Sequence, residues 1–184
     1  MQKTSLFKTL LKSYFSYLKG KNKCNYFPFK IWIETTSRCN LACRLCLNRE
    51  INNSDKGDMD FSLFKKIINQ SKDFLYEANL FHRGEPLLNP NIAEMIEYAS
   101  INNIKTCIHT NATLLNEEMS IKILKSGLTK IYFSLDTFIK EDYEYIRSGA
   151  DFEKTVSNIK NFLQLKKELK LNRYSSNESL LNLN

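Results

Sequence analysis

The sequence predicts an α/β fold: a partial (β/α) barrel of about four strand–helix units, preceded by an amphipathic helix. Two observations predict it. Runs rich in β-branched and aromatic residues alternate four times with helical runs, which implies right-handed βαβ units around a parallel sheet. Each such run also ends in a short stretch of chemistry-bearing residues, and barrels of this class place their working loops at the C-terminal ends of the strands. At 184 residues, 42% of them hydrophobic, the chain is one domain or most of one, with enough apolar side chains for a core.

The net charge of +7 is unevenly spread. Residues 1–30 hold seven lysines and no acid, so the remainder carries 20 basic and 20 acidic residues and is neutral. That excludes a uniformly basic nucleic-acid binder. No apolar run approaches the roughly 18–20 residues of a membrane span. Five cysteines, an odd number, and no visible secretory signal argue against a disulfide framework. The expectation is a cytoplasmic protein with reduced thiols.

Within residues 5–20, Phe7, Leu10, Leu11, Tyr14, Phe15 and Leu18 recur at helical spacing. Lys8, Lys12, Ser16 and Lys19 lie opposite, and Gly20 is a stop signal. The stripe is expected to pack on the chain's own domain with its lysines in water; a membrane-surface or partner-docking helix is the alternative. Pro28 sits in a connector that closes a first unit, residues 1–30. The core then runs over 31–171. Its predicted strands are 31–36, 77–82, 104–111 and 130–136. Its predicted helices are 61–72 capped by Asp60, 91–100, one capped by Asn116 and ending near Gly127, and 152–170 capped by Asp151. Phe152, Val156, Ile159, Phe162, Leu163 and Leu169 should face inward. Residues 47–58 read as loop, and 172–184, polar and Asn/Ser-rich, as a disordered tail.

The first strand runs into Thr35-Thr36-Ser37-Arg38-Cys39-Asn40-Leu41-Ala42-Cys43-Arg44-Leu45-Cys46. Cys39, Cys43 and Cys46 are spaced so that a short loop brings three thiolates to one metal centre, with no fourth cysteine to close the shell. A cubane iron–sulfur cluster usually takes four thiolates. Three leave one iron open, and an open position marks a reactive site rather than a structural one. Zinc would need Cys24, Cys107, His82 or His109 as its fourth ligand, none at a usual spacing.

The second strand ends in Gly84-Glu85-Pro86, where glycine permits close backbone approach and proline fixes the turn. Carbonyls and the Glu85 carboxylate there suit an ammonium group. The third strand ends in Thr110-Asn111-Ala112-Thr113; Asn111 offers both donor and acceptor, or serves simply as a turn asparagine. After the fourth strand, Ser134 and Asp136 share a face. Arg147 follows in Tyr145-Ile146-Arg147-Ser148-Gly149. His82, Cys107 and His109 are expected toward the lumen.

The cysteine loop and these motifs, in this order over residues 31 to about 170, resemble the radical S-adenosylmethionine (radical SAM) enzymes. The run Gly84-Glu85-Pro86-Leu87-Leu88-Asn89-Pro90 also looks like family members, and the core as a whole most resembles the peptide- and protein-modifying members that carry a SPASM-type extension. The resemblance implies a 4Fe-4S cluster on the three cysteines, with SAM chelating the open iron. It implies that Gly84, Glu85 and Pro86 hold the SAM amino group, that Ser134 and Asp136 meet the ribose, and that Arg147 pairs with the SAM carboxylate. Leu45 would lie beside the adenine, and Asn111 belongs to a stretch similar to the family's T-N-G-T-L-L. The family often has a second glycine where Arg83 stands. The implied activity is reductive cleavage of SAM to a 5′-deoxyadenosyl radical that abstracts hydrogen from a peptide or protein, with an electron donor such as a flavodoxin or ferredoxin. The family core has six strand–helix units, whereas this chain shows four. The alternative expectation is therefore a truncated, non-catalytic iron–sulfur or SAM-binding remnant.

Overall fold

The computed structural model describes residues 6–169 together with 175 and 176. Its centre is a parallel sheet in sequence order: β1 (Lys30–Trp32), β2 (Glu77–Asn79), β3 (Lys105–Thr110), β4 (Lys130–Phe133) and a two-residue β5 (Ser175–Ser176). The predicted partial barrel is present. The strands are shorter than the sequence suggests. Ile33 N still donates to Asn79 O, Leu80 N to Cys107 O and Ser134 N to Thr110 O, and beyond these bonds the chains run into the loops that build the site. β5 lies in the stretch read as tail and pairs with Lys130 and Ile131 of β4. No residue pattern signals it, because a two-residue strand is created by its partner. The rest of 172–184 lies outside the described residues.

Helices α2 (Phe61–Ser71), α3 (Ile92–Ile101), α4 (Glu117–Lys125) and α6 (Phe152–Glu168) are the predicted four. Asp60, Asn116 and Asp151 accept from Ser62 N, Met119 N and Lys154 N as side-chain caps, each worth about 0.5–2 kcal/mol. A helix not foreseen, α5 (Lys140–Ile146), precedes α6 and buries Tyr143. Strand alternation sends Ala78, Leu80, Ile108, Ile131 and Phe133 to the helices. There they join Phe64, Ile68, Met95, Ile96, Ile123, Leu124, Ile159 and Phe162 in one core. Phe133 meets Phe162 edge-on at 5.7 Å. Val156 is buried as expected. Phe152, edge-on to Tyr143, is only half-buried, and Leu169 at the C-cap of α6 is exposed.

The other sheet face bounds a cavity lined by Lys30, Trp32, Glu77, Asn79, Phe81, Cys107, His109, Lys130 and Tyr132. Its floor is an ion triad: Glu77 on β2 contacts Lys30 of β1 and Lys130 of β4, both at 2.7 Å. Above it His109 stacks between Phe81 (4.0 Å) and Tyr132 (4.7 Å).

The N-terminal helix forms as α1 (Leu6–Leu18), but its orientation reverses the expectation. Its only buried residues are Thr9 and Ser16. Phe7, Leu10, Leu11, Tyr14, Phe15, Tyr17 and Leu18 are all exposed. The side turned to the protein is a stripe of small polar residues, on which Ser13 accepts a hydrogen bond from the Tyr26 hydroxyl. No described helix is long and apolar enough to cross a membrane.

Candidate active site

The loop after β1 is held from two sides. Thr36 pairs with Asp58 as an isolated antiparallel bridge, and its hydroxyl donates to the Asp58 carboxylate at 2.6 Å. Ser37 N donates to Gly57 O, Met59 N to Thr35 O, and Asn48 Nδ2 to Ser37 O. From the opposite side, Ala42 N and Arg44 N donate to Ser148 O and Ile146 O. The Arg44 guanidinium covers the Tyr145 ring at 4.0 Å. The polar stretch 47–58, which reads as mere loop, is therefore half of the clamp, with two short 3-10 turns at Leu47–Glu50 and Asn53–Asp55.

This clamp sets Cys39, Cys43 and Cys46 on the wall of a cavity of about 480 Å³. The same cavity is lined by Leu45, Gly84, Glu85, Asn111, Ser134, Asp136 and Arg147. Every candidate site residue except Pro86 thus faces one space; Pro86 is buried at the start of a 3-10 turn, Pro86–Leu88. His82, Arg83 and His109 line it as well, and His82 Nδ1 lies 3.7 Å from the Glu34 carboxylate. Cys24 is exposed elsewhere and Cys107 is buried in the lumen, its thiol pushed up to about 11 by burial.

Among the described residues no three Cys, His, Asp or Glu side chains stand close enough to share a single metal ion. A cubane asks for something different, because each thiolate takes its own iron and the sulfurs span the cluster. Three thiols on one wall, facing a cavity rather than a fourth ligand, fit that group and not a closed zinc site. Burial raises the Cys39 and Cys43 thiols above their ordinary range, with Arg147 working the other way at Cys43. Loading therefore displaces protons.

The motif loops are locked to one another. Gly84 presses on the cysteine loop: a Cβ there would lie 2.8 Å from Arg38 O and closer still to Thr36 O. Glu85 N donates to Arg38 O at 2.8 Å. The buried Glu85 carboxylate accepts from Thr110 Oγ1 (2.7 Å), Asn111 N (2.8 Å) and Leu87 N (3.2 Å). Burial pushes its carboxyl up, and the Asn111 and Thr110 donors pull it back. Asn111 Nδ2 donates to Asn40 Oδ1, while Asn111 Oδ1 accepts from Thr113. Ala112 takes φ 59 where the family's stretch has glycine.

Asp136 and Arg147 do not stand apart as two ligand contacts. They form a two-bond ion pair, Nε–Oδ2 2.7 Å and Nη2–Oδ1 3.1 Å. Burial works against the Arg147 charge, and Asp136 more than offsets it. Arg147 Nη1 points at Cys43 Sγ at 3.9 Å. Leu45 stands at the cavity rim, 87% exposed.

A sequence model of the radical SAM superfamily matches residues 33–174. The chain is 33% identical over 108 residues to the tungsten-containing aldehyde ferredoxin oxidoreductase cofactor-modifying protein of Pyrococcus furiosus, covering 58% of this chain and 30% of that protein. It is 28% identical over 158 residues to the GTP 3′,8-cyclase of Clostridium botulinum, covering 84% of this chain and 48% of the relative. It thus spans less than half the length of these curated relatives. Among solved structures, BtrN in complex with AdoMet and 2-DOIA is similar at a TM-score of 0.54 and 26% identity, over 70% of this chain and 55% of that one. Streptococcus suis SuiB bound to S-adenosylmethionine gives 0.67 at 23% identity, over 86% and 37%, a likeness of fold alone.

Proposed function

The chain belongs to the radical SAM superfamily, and from that premise we propose that its cavity binds a 4Fe-4S cluster and SAM for radical generation. The observation that carries this reading is the single cavity shared by Cys39, Cys43, Cys46 and the four motif loops. Cys39, Cys43 and Cys46 would hold the cluster. When bound, such a cluster supplies one electron for cleavage of the S–C5′ bond of SAM, giving methionine and a 5′-deoxyadenosyl radical that abstracts hydrogen from substrate.

The chain's own residues bind and orient. The turn at Gly84, Glu85 and Pro86 presents its backbone to the SAM amino group, since the Glu85 carboxylate already accepts three protein donors. Asp136 gives Arg147 two of its lone pairs. A carboxylate has about four acceptor sites, so it keeps capacity for ribose hydroxyls beside Ser134. Arg147, held by Asp136, offers its remaining nitrogen toward the cysteine side, where the SAM carboxylate would lie. Leu45 at the rim supplies an apolar edge for the adenine, and Asn111 fixes the loop opposite.

The resemblance of the core as a whole to SPASM-associated members supports a peptide or protein as the substrate. Two curated relatives are named for GTP and for the cofactor of a tungsten-containing oxidoreductase, which makes those the competing classes. The test is anaerobic reconstitution followed by reduction with SAM present. The expected outcome is a changed electron paramagnetic resonance spectrum and release of 5′-deoxyadenosine. An unchanged spectrum at saturating SAM would refute SAM binding. A changed spectrum without 5′-deoxyadenosine would favour the non-catalytic remnant.

A further inference from the structure

Helix α1 presents the reverse of a core-packed amphipathic helix. At about 100° per residue, Leu6, Tyr17, Leu10, Tyr14, Phe7, Leu18, Leu11 and Phe15 follow one another around an arc of roughly half the cylinder. Lys8, Lys19 and Lys12 come next, and then Ser16, Thr9 and Ser13. The last three form the inward stripe: Thr9 and Ser16 are buried, and Ser13 bonds Tyr26. The connector is anchored in turn by Phe27 stacked on Phe74 at 4.4 Å. So the helix is attached through its small polar residues, and seven large apolar side chains face outward, with Phe7 68% and Tyr17 82% exposed.

We propose that this face is a docking surface for an anionic lipid bilayer, with α1 lying flat in the headgroup region. Three features select that occupant. The arc is wider than the roughly 100° stripe that packs on a core, and it suits immersion in a plane. Lys8, Lys12 and Lys19 flank it and are exposed, as are Lys21 and Lys23 just beyond. Residues 1–29 hold six lysines and no acid, the complement of a negatively charged surface. A second copy of this chain would bring lysines against lysines. Finally, Tyr14 and Tyr17 are the amphipathic rings that membrane interfaces favour. Thirteen helical residues extend only about 20 Å, too short to span a bilayer core of about 30 Å, so the helix lies on the surface. This inference is independent of the cofactor reading, because no residue of α1 lines the active-site cavity.

The experiment is co-sedimentation of the full chain with extruded vesicles, equal parts phosphatidylglycerol and phosphatidylcholine against phosphatidylcholine alone. The wild type should bind the anionic vesicles, release from them as salt rises, and bind the neutral ones weakly. Two variants test the two halves of the argument. Phe7→Ser/Tyr14→Ser/Leu18→Ser removes apolar area without changing charge, and Lys8→Gln/Lys12→Gln/Lys19→Gln removes charge without changing the apolar arc. Each should lower partitioning onto anionic vesicles by at least about tenfold, with thermal unfolding and iron loading as in the wild type. Absence of wild-type binding, or binding that the serine variant retains, overturns the proposal. So does a wild-type chain that ignores vesicles but self-associates in the ultracentrifuge while the serine variant stays monomeric, since the face is then an interface between copies.

Discussion

Replacing Gly84 with alanine tests what the glycine is for. Its new Cβ would sit 2.8 Å from Arg38 O and from Thr36 C, and closer to Thr36 O. An ordinary carbon–oxygen contact is about 3.3 Å, so relieving the Arg38 contact alone needs about 0.5 Å, and the closer Thr36 O must move further. That movement strains or breaks the 2.8 Å bond from Glu85 N to Arg38 O, worth about 0.5–1.5 kcal/mol net. Overpacking two backbones adds about 1–3 kcal/mol, since neither carbonyl can swing away as a side-chain tip can. The expected loss is about 2–4 kcal/mol, read by urea unfolding of the metal-free chain. Iron loading should fall with it, because Thr36 and Arg38 lead directly into Cys39. If the glycine served only close approach of a ligand, the metal-free variant would unfold like the wild type and only SAM affinity would change. A metal-free stability within about 0.5 kcal/mol of wild type would therefore refute this reasoning.

Alanine at Cys39, Cys43 or Cys46 should abolish stoichiometric iron and sulfide after anaerobic reconstitution, whereas Cys24→Ala and Cys107→Ala should load like the wild type per folded molecule. Asp136→Ala should weaken SAM binding by about 1–3 kcal/mol, as expected when a hydrogen-bonded charge partner is removed. Arg147→Lys, which keeps the charge but cannot make both bonds to Asp136, should recover only part of wild-type affinity by calorimetry. Glu77 gives a pH signature: burial raises its carboxyl, but the bonds from Lys130 and Lys30 outweigh this and hold it below its ordinary 4.5. A depressed folded value means stability present above pH 4.5 and lost as pH falls through the folded value. Glu85, raised by burial, has the opposite sign. The informative quantity is therefore the difference between wild type and Glu77→Gln, which should be large at pH 7 and shrink below pH 4.5 in thermal unfolding.

What the sequence made legible was local. The cap residues Asp60, Asn116 and Asp151 announce their helices because a cap acts on the next turn. Cys39, Cys43 and Cys46 announce a shared cavity wall because their spacing keeps them on one short loop. What stayed hidden depended on distant partners. The same periodicity that marks α1 as a helix cannot say which side meets the protein, and here the Ser13–Tyr26 bond and buried Thr9 and Ser16 decide it. Short helix α5 had Glu141 and Asp142 in its first turn as its only cue. Ser175 and Ser176 carry no strand pattern, and β4 alone recruits them. The pairing of Asp136 with Arg147, eleven residues apart across a turn and a helix, is invisible to any motif that assigns each residue its own ligand contact.

The hydrogen bonds also change how motif residues should be interpreted. Gly84 gives room to the cysteine loop, and Glu85 ties the end of β2 to the end of β3 through Thr110 and Asn111. Asn111 reaches back to Asn40, between the first two cysteines. Arg147 reaches Cys43 while holding Asp136. Each loop end that would touch SAM is thus also a strut for the thiols, in a low-dielectric setting where losing one partner exposes the next. Loss of activity in a variant at any of these positions does not by itself identify a ligand contact. The discriminating comparison is between metal-free stability and SAM affinity in the same variant: a strut lowers both, whereas a residue that only touches SAM leaves the first unchanged. By this criterion Gly84 and Glu85 should behave as struts. Ser134, tied among the described residues through its backbone N–H to Thr110 O rather than through its hydroxyl, should behave as a contact.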